Sequence, residues 1–336
     1  MIVYRPFRNT DPPALVSVWN EAATARGAYP IRTPALLDRW VLSKPYFTPA
    51  ALTVAVDEDS KTPIGFSLAG FGPDAEWGKL DRSLGVVCAV VVTPAFRKQG
   101  IGRELARRAE QFLIAGGATT LHFGAQRPNN PYLFGLYGGS NSPGVLDSDA
   151  EAKPFLHKLG YEPGDRICVF QRRLDQAINL ADPRLVLLRR RYDIQQLKAA
   201  VVGSWFQECV WSTLDPAEFR AVDKLTGMPA ARATAWELEG FGWKWSYPSA
   251  GIIDVQVRPD LRKQGLAKML VTHILRTLQD QFFGIGELMV SGDDPSALGL
   301  CKSVGFEQVD VGYAYRRTIA KEISPQITAD ERTIQS

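Results

Sequence analysis

The chain repeats itself at half its own length. Val90–Leu105 (VVVTPAFRKQGIGREL) aligns without a gap on Val255–Leu270 (VQVRPDLRKQGLAKML), with 8 of 16 positions identical and Arg97 opposite Arg262, an offset of 165 residues. A second pair, Phe155–Glu162 (FLHKLGYE) and Leu300–Glu307 (LCKSVGFE), sets Gly160 opposite Gly305 at an offset of 145. The first half therefore holds 20 residues more between its two motifs, 165 less 145, and they fall around Gln126–Asp149. Solenoids and propellers repeat every roughly 20–50 residues, so a period this long argues for two related domains in tandem. At roughly 100–200 residues per domain, each half of the 336-residue chain can bury its own core. The expected spans are 1–175, carrying the insert at about 126–149, then 185–320, with 321–336 as a tail. The join is expected within Asp175–Arg184, where INLADPR interrupts the pattern.

Hydrophobic periodicity and turn residues predict similar elements in both halves. In the first, strands are expected at Ile2–Pro6, Leu52–Asp57, Ile64–Gly70, Gly85–Val92, Thr119–Phe123 and Arg166–Arg172, and helices at Ala14–Ala23, Gly102–Ala115 and Ala152–Leu159. Asp11 is placed to cap the first helix, with Pro12 starting it. In the second half, helices are expected at Pro216–Leu225 (Asp215 as cap), Ala267–Gln279 and Ser296–Ser303. Strands are expected there at Ala231–Glu239, Ile252–Val257, Glu287–Val290 and Asp310–Arg316. Phe241, Trp243, Trp245 and Tyr247 alternate with smaller or polar residues, which reads as a strand whose aromatic face is either core or an acceptor-binding wall. The insert is rich in Gly, Pro, Asn and Ser, the composition of an ordered, irregular loop, and such loops are often functional.

Composition excludes several classes. Apolar residues are 45% and charged residues 22%, which argues against disordered and fibrous chains. A net charge of +3 is too small and dispersed to attract nucleic acid by field alone, and Arg189–Arg191 reads as a solvated face or linker edge. Cys88, Cys168, Cys209 and Cys301 are scattered, with no CxxC pair and no His cluster, so neither a disulfide framework nor a metal site is expected. The N-terminus lacks a secretory apolar segment, and no apolar run approaches the about 18 residues that span a bilayer. The expectation is a cytoplasmic protein with no membrane or nucleic-acid partner.

In each half an apolar strand runs through Pro into a glycine turn that opens an amphipathic helix. Glycine permits the tight turn and close approach of a ligand to the backbone. The free N–H groups of the turn and the helix dipole then face one point, which suits a pyrophosphate. Neither copy has the GxGxxG fingerprint of a dinucleotide fold or a GxxxxGK[ST] loop.

At these residues the chain resembles the GCN5-related N-acetyltransferase (GNAT) superfamily, whose hallmark V-x-P-x-x-[RQ]-x-x-G-x-[GA] is met at Val92-x-Pro94-x-x-Arg97 and at Val257-x-Pro259-x-x-Arg262. The weaker downstream motif, L-Y-x-x-x-G-F, is met in part at Phe155-Leu156 with Gly160-Tyr161 and at Leu300-Cys301 with Gly305-Phe306. Two copies in one chain resemble the tandem members of that superfamily. The resemblance implies an α/β (α+β) fold with two GNAT-like domains, each a mixed, largely antiparallel sheet flanked by helices. It implies acetyl-CoA as co-substrate, lying where the central strands splay. Its pantetheine arm would pair with the backbone of Val90, Val91 and Val92, or of Val255, Gln256 and Val257. Its pyrophosphate would lie on the N–H groups of Arg97, Lys98, Gln99, Gly100, Ile101, Gly102 and Arg103, or of Arg262, Lys263, Gln264, Gly265, Leu266, Ala267 and Lys268. The N–H of Val92 or Val257 would polarise the thioester carbonyl. An unprotonated amine then attacks, so a base or water chain must take its proton.

Each copy departs from the family pattern. The Tyr that often protonates the departing thiolate is Leu156 in the first half and Cys301 in the second. Cys301 is either a thiol donor or a small buried helix residue. For a base, the second half offers Asp254, otherwise an ion-pair partner, and Glu287, otherwise a solvated strand start. The first half offers His122, otherwise a structural histidine; Tyr132 and Tyr137 in the insert could replace the missing phenol, and the insert's glycine-rich part could form an acceptor wall. The reading is an N-acetyltransferase acting on a small-molecule amine, as a monomer with an internal lobe–lobe interface. The alternatives are a non-catalytic acyl-CoA-binding module and a protein N-terminal or lysine acetyltransferase.

Overall fold

The computed structural model describes residues 1–178, 182–198, 203–212 and 214–319. The expected tail 321–336 and residues 179–181 of the expected join lie outside them. In the first lobe the elements are β1 (Ile2–Pro6), α1 (Pro12–Ala22), α2 (Pro34–Leu37), β2 (Leu52–Asp57), β3 (Thr62–Pro73), β4 (Leu80–Val92), α3 (Ile101–Ala115), β5 (Thr120–Phe123), β6 (Val145–Leu146), α4 (Ala152–Lys158) and β7 (Glu162–Arg173). In the second they are α5 (Pro183–Arg191), β8 (Tyr192–Lys198), α6 (Trp205–Trp211), β9 (Ala217–Asp223), β10 (Pro229–Glu237), α7 (Phe241–Trp245), β11 (Ser249–Val257), α8 (Leu266–Asp280), β12 (Ile285–Ser291), α9 (Pro295–Ser303) and β13 (Glu307–Thr318). The two long helices follow the hallmark turns and bury one stripe each. Leu105, Ala109 and Leu113 of α3 recur at four-residue spacing, as do Leu266, Leu270, Ile274 and Leu278 of α8.

Three local expectations are corrected. Pro216–Leu225 is not a helix: Ala217–Asp223 forms β9, with Phe219 and Ala221 turned into one core and pairing to β8 on one side and β10 on the other. Cross-strand pairing overrides the helical reading there. The aromatic run is not a strand but the short helix α7, bracketed by positive-φ Gly240 and Ser246, and Phe241 stacks on Trp245 one helical turn away at 4.5 Å. Residues four apart in a helix lie on one face, so an alternating pattern satisfied both readings. Asp11 caps nothing with its side chain; its carboxylate accepts from Arg5 at 2.7 and 2.8 Å and from the Arg8 N–H.

Among the described residues the strands form one sheet of 13, in the order β1-β2-β3-β4-β5-β13-β7-β12-β11-β10-β9-β8, with β6 pairing off the path with β13. It is antiparallel except for β4–β5 and β11–β12. The last strands of the two lobes are exchanged: β5 pairs with β13, and β12 pairs with β7. At the centre, β7 and β13 run antiparallel with Ile167 opposite Gly312. These residues are 145 apart, the same position in the two copies, so a pseudo-twofold axis passes between them. The same operation carries the pair His122–Arg316 onto Glu287–Gln171. The lobes thus meet as an isologous interface within one chain.

An apolar core is shared across this seam. Phe134 stacks on Trp236 at 5.3 Å, Tyr46 on Phe206 at 5.6 Å, and Tyr29 meets Phe241 edge-on. The insert supplies Tyr132, Leu133, Phe134 and Leu136 to this core. Its glycines and polar residues set the path of the chain, while its apolar side chains pack between the lobes.

Candidate active site

The two hallmark turns have the same backbone. Lys98 and Lys263 have φ of 62° and 60°, and Gly100 and Gly265 of 84° and 92°. In each, the arginine folds back on the strand: Arg97 Nε donates to the Val92 carbonyl at 3.0 Å and Arg262 Nε to the Val257 carbonyl at 3.3 Å. The first N–H in α8 to find a carbonyl is that of Met269, on Gly265, so those of Leu266, Ala267 and Lys268 have no intrahelical partner. They are available to an anion, and the helix dipole favours one there.

Beyond the turns the lobes differ. In the second, β11 and β12 pair as far as Ile252–Leu288 and then part. A cleft of about 1200 Å³ opens between them, lined by Val255, Gln256 and Val257 on one wall, by Leu288–Val290 on the other, and by the turn and α9. The edge of β11 that faces the cleft has lost its strand partner and can pair with an extended amide-bearing ligand. In the first lobe charged side chains meet beside the equivalent turn. Glu151 forms ion pairs with Arg97 at 2.9 Å and with Lys98 at 3.3 Å, and Arg97 also donates to the Ala22 carbonyl. The Phe155 ring stands 3.5 Å from where a Cβ on Gly102 would lie. The counterparts of Glu151 and Phe155 in the second lobe are Ser296 and Leu300, and both line the open cleft. Residues Val90–Arg103 therefore have the expected conformation with a carboxylate held against their turn, and Val255–Lys268 have it facing open space.

The structure scatters the proton-transfer candidates. Asp254 lines the cleft at a bulge where β11 has more residues than β10, with φ +54°. Its carboxylate takes both arms of Arg127 at 2.6 and 3.1 Å. Arg127 belongs to the insert and lies over Trp77 and Trp211, so the first lobe reaches across to the second lobe's cleft. Glu287 is not a solvated strand start. It is fully buried at the seam, accepting from the Ser140 N–H and from Gln171 at 2.7 Å each, with Arg26 at 3.5 Å. Burial raises its pKa, against Arg26 and these donors.

Cys301 has no exposed surface, packs among the apolar side chains beneath α9, and its thiol is pushed up to about 12 by burial. It does not line the cleft. His122 is buried on β5, and burial, then Arg316, pull its pKa down to about 4. It is the pseudo-symmetric counterpart of Glu287. The Tyr137 hydroxyl accepts from the Leu146 N–H inside the seam, and burial raises its pKa. The Tyr132 hydroxyl donates to the Tyr46 carbonyl, and its ring is part of the shared core.

Sequence reasoning missed Arg127, Glu151, Glu218, Arg220 and Arg232. Glu151 had a signal: it stands 145 residues before Ser296, the one charged position in that pair. The others are visible only once the sheet is assembled. Among the described residues no helix is long and apolar enough to cross a membrane, and no group of three or more His, Cys, Asp or Glu could hold a metal ion.

Comparison with known proteins agrees with this architecture. The model of the Acetyltransferase (GNAT) family matches residues 15–138 and 187–306. Mycothiol acetyltransferase of Rhodococcus opacus (strain B4) is 30% identical over 136 residues, and that of Rhodococcus jostii (strain RHA1) 32% over 136 residues. Each match covers 37% of this chain and 45% of the relative, so the chain spans less than half the length of these curated relatives. A tandem GNAT protein from the clavulanic acid biosynthesis pathway superposes with a TM-score of 0.67 at 16% identity, over 95% of this chain and 98% of that one. A glucosamine N-acetyltransferase region of a fungal multi-domain beta-N-acetylglucosaminidase gives 0.68 at 16%, over 94% of this chain and 38% of that one. At such identities the likeness is one of fold. With a matched region in each half and a duplicated hallmark turn, the chain belongs to the GNAT acetyltransferase family as a tandem member.

Proposed function

We propose that the second lobe is the working acetyltransferase and the first its scaffold. The observation that carries this reading is the contrast between the open cleft beside Arg262–Lys268 and the Glu151 carboxylate closed onto Arg97 and Lys98. Acetyl-CoA would lie with its pyrophosphate on the N–H groups of the second turn and its pantetheine amides along Val255–Val257. The Val257 N–H is the family's expected polarising donor for the thioester carbonyl. A small-molecule amine enters past Asp254. Its nitrogen attacks the carbonyl carbon, the C–N bond forms, the C–S bond breaks, and CoA leaves as thiolate. Asp254, directly or through water, receives the amine proton. The thiolate takes its proton from solvent, since Cys301 is turned away from the cleft.

Calorimetric titration with acetyl-CoA tests this. One site per chain supports it; two sites, or none, would overturn it. The buried Cys301 favours a second reading, an acyl-CoA-binding module without catalysis. Binding without release of free CoA thiol across a panel of amines would select that reading.

A further inference from the structure

We propose that the acceptor is an amine carrying its own anionic group, a carboxylate or a phosphate, which Arg220 and Arg232 hold while the nitrogen is presented beside Asp254. This deepens the proposed function and rests on the second lobe being the working one. Strand register puts Arg220 of β9 directly opposite Arg232 of β10, and Arg232 opposite Gln256 of β11, so the three side chains share one face of the sheet. All three line the cleft, as Asp254 does. Two guanidiniums directly opposite each other repel, and a bound anion between them relieves this. Arg220 is paired by Nε with the buried Glu218. Arg232 is exposed; its Nε donates to Gln256 at 3.1 Å, and no carboxylate of the described residues forms an ion pair with it.

The planar fork of arginine matches the paired oxygens of a carboxylate or phosphate. Gln256, in register with the arginines, lies two residues along β11 from Asp254, roughly 7 Å at the rise of a strand, and Arg232 and Arg220 stand one and two strand spacings of roughly 4.8 Å to the side. Cation and anion sites at that spacing suit a small molecule with an amine at one end and an acid at the other. An acceptor with only an amine would leave Arg232 with no partner of opposite charge among the described residues, Arg220 keeping Glu218.

The test uses the full chain saturated with CoA and matched amines that differ in one anionic group: tyramine and tyrosine, histamine and histidine, ethanolamine and phosphoethanolamine. Calorimetry is expected to show an acid-bearing member binding at least roughly tenfold tighter than its partner, about one charge-assisted hydrogen bond. Whether a carboxylate or a phosphate member shows the effect identifies the anion. Arg232→Gln, at an exposed position, is expected to erase the preference while acetyl-CoA affinity and the melting temperature stay unchanged. Equal binding within every pair would overturn the proposal. So would a preference that survives both Arg232→Gln and Arg220→Gln, or a loss of acetyl-CoA affinity in Arg232→Gln, which would assign the arginine to the donor's phosphates. Failure of the underlying reading is seen separately, as a wild-type chain that binds no acetyl-CoA.

Discussion

The two lobes share a turn and differ in what faces it. Lys98 and Gly100 match Lys263 and Gly265 in φ to within about ten degrees, yet Glu151 is ion-paired with the side chains of one turn and Phe155 packs beside it, whereas the other turn faces Ser296 and Leu300 across the cleft. A repeated motif fixes the backbone, because glycine and the proline-led strand end dictate it locally. Which side chains face that backbone is set by residues some 35–55 positions downstream, on a helix the motif does not specify. The comparison breaks most sharply at the glycines. Both sit in the left-handed region, so Gly100→Val and Gly265→Val should each lower stability by roughly 1–2 kcal/mol. Only Gly265→Val is expected to weaken acetyl-CoA binding, by more than roughly 100-fold, through displacement of the N–H groups proposed to take the pyrophosphate. Equal loss in the two variants, measured by calorimetry, would remove the distinction between the lobes.

The seam supplies the next largest effect. A Cβ on Gly139 would lie 2.1 Å from Glu287 Oε1, and Gly139 itself has φ +131°. Gly139→Ala should therefore cost roughly 2–4 kcal/mol by urea unfolding, from overpacking and backbone strain together. A loss below 1 kcal/mol would mean that the insert yields and is not the rigid joint between lobes that its packing indicates. A gain of function sharpens the same comparison. Converting Glu151 to Ser and Phe155 to Leu gives the first lobe the residues of the second. A second acetyl-CoA site is expected to appear, weaker than the first, and an unchanged stoichiometry would show that closure has another cause.

His122 and Glu287 occupy one position in the two copies and are both driven toward neutrality by burial, in opposite directions on the pH scale. His122 has a folded value of about 4 against 6.5, so its contribution is present above pH 6.5 and lost as pH falls toward 4, over a span of up to about 3 kcal/mol. Glu287 is raised above 4.5, so its contribution is present below that value and lost as pH rises through its folded pKa. Denaturant midpoints of His122→Gln should therefore lose the wild type's acid sensitivity between pH 6.5 and 4. Those of Glu287→Gln should gain on wild type as pH rises above 4.5. Parallel pH profiles for the two variants would contradict the assignment of burial as the dominant cause.

Much of this was legible in the sequence. The duplicated motif, the extra 20 residues and most strands could be read because each depends on local pattern. The Phe241–Tyr247 run was misread because aromatics at positions 241 and 245 satisfy a helix as well as a strand. The Ala217–Asp223 strand was missed because its pairing with β8 and β10 is not local. The strand exchange was out of reach for the same reason: nothing in Glu162–Arg173 tells it to pair with β12 rather than with β5. The candidate site followed the same rule: the backbone of the two glycine turns was legible locally, while the Arg127–Asp254 and Arg220–Arg232 pairs are visible only after assembly.

The smallest expected effect concerns Cys301, which stands where the family often has a proton-donating tyrosine. Its thiol is enclosed by apolar neighbours and held near 12, so at neutral pH it is neither a thiolate nor within reach of the cleft. A thiolate leaving group of ordinary acidity departs without an acid, so the step does not require one. Cys301→Ala should leave kcat and its pH profile unchanged within about twofold, at a stability cost of roughly 1 kcal/mol for the small cavity. Cys301→Tyr would restore the family residue but force a phenol into a full core, and is expected to unfold the lobe rather than accelerate it. A kcat drop of tenfold or more in Cys301→Ala, with the melting temperature held, would instead place the thiol in the proton path. The second lobe would then have to open around α9 during turnover.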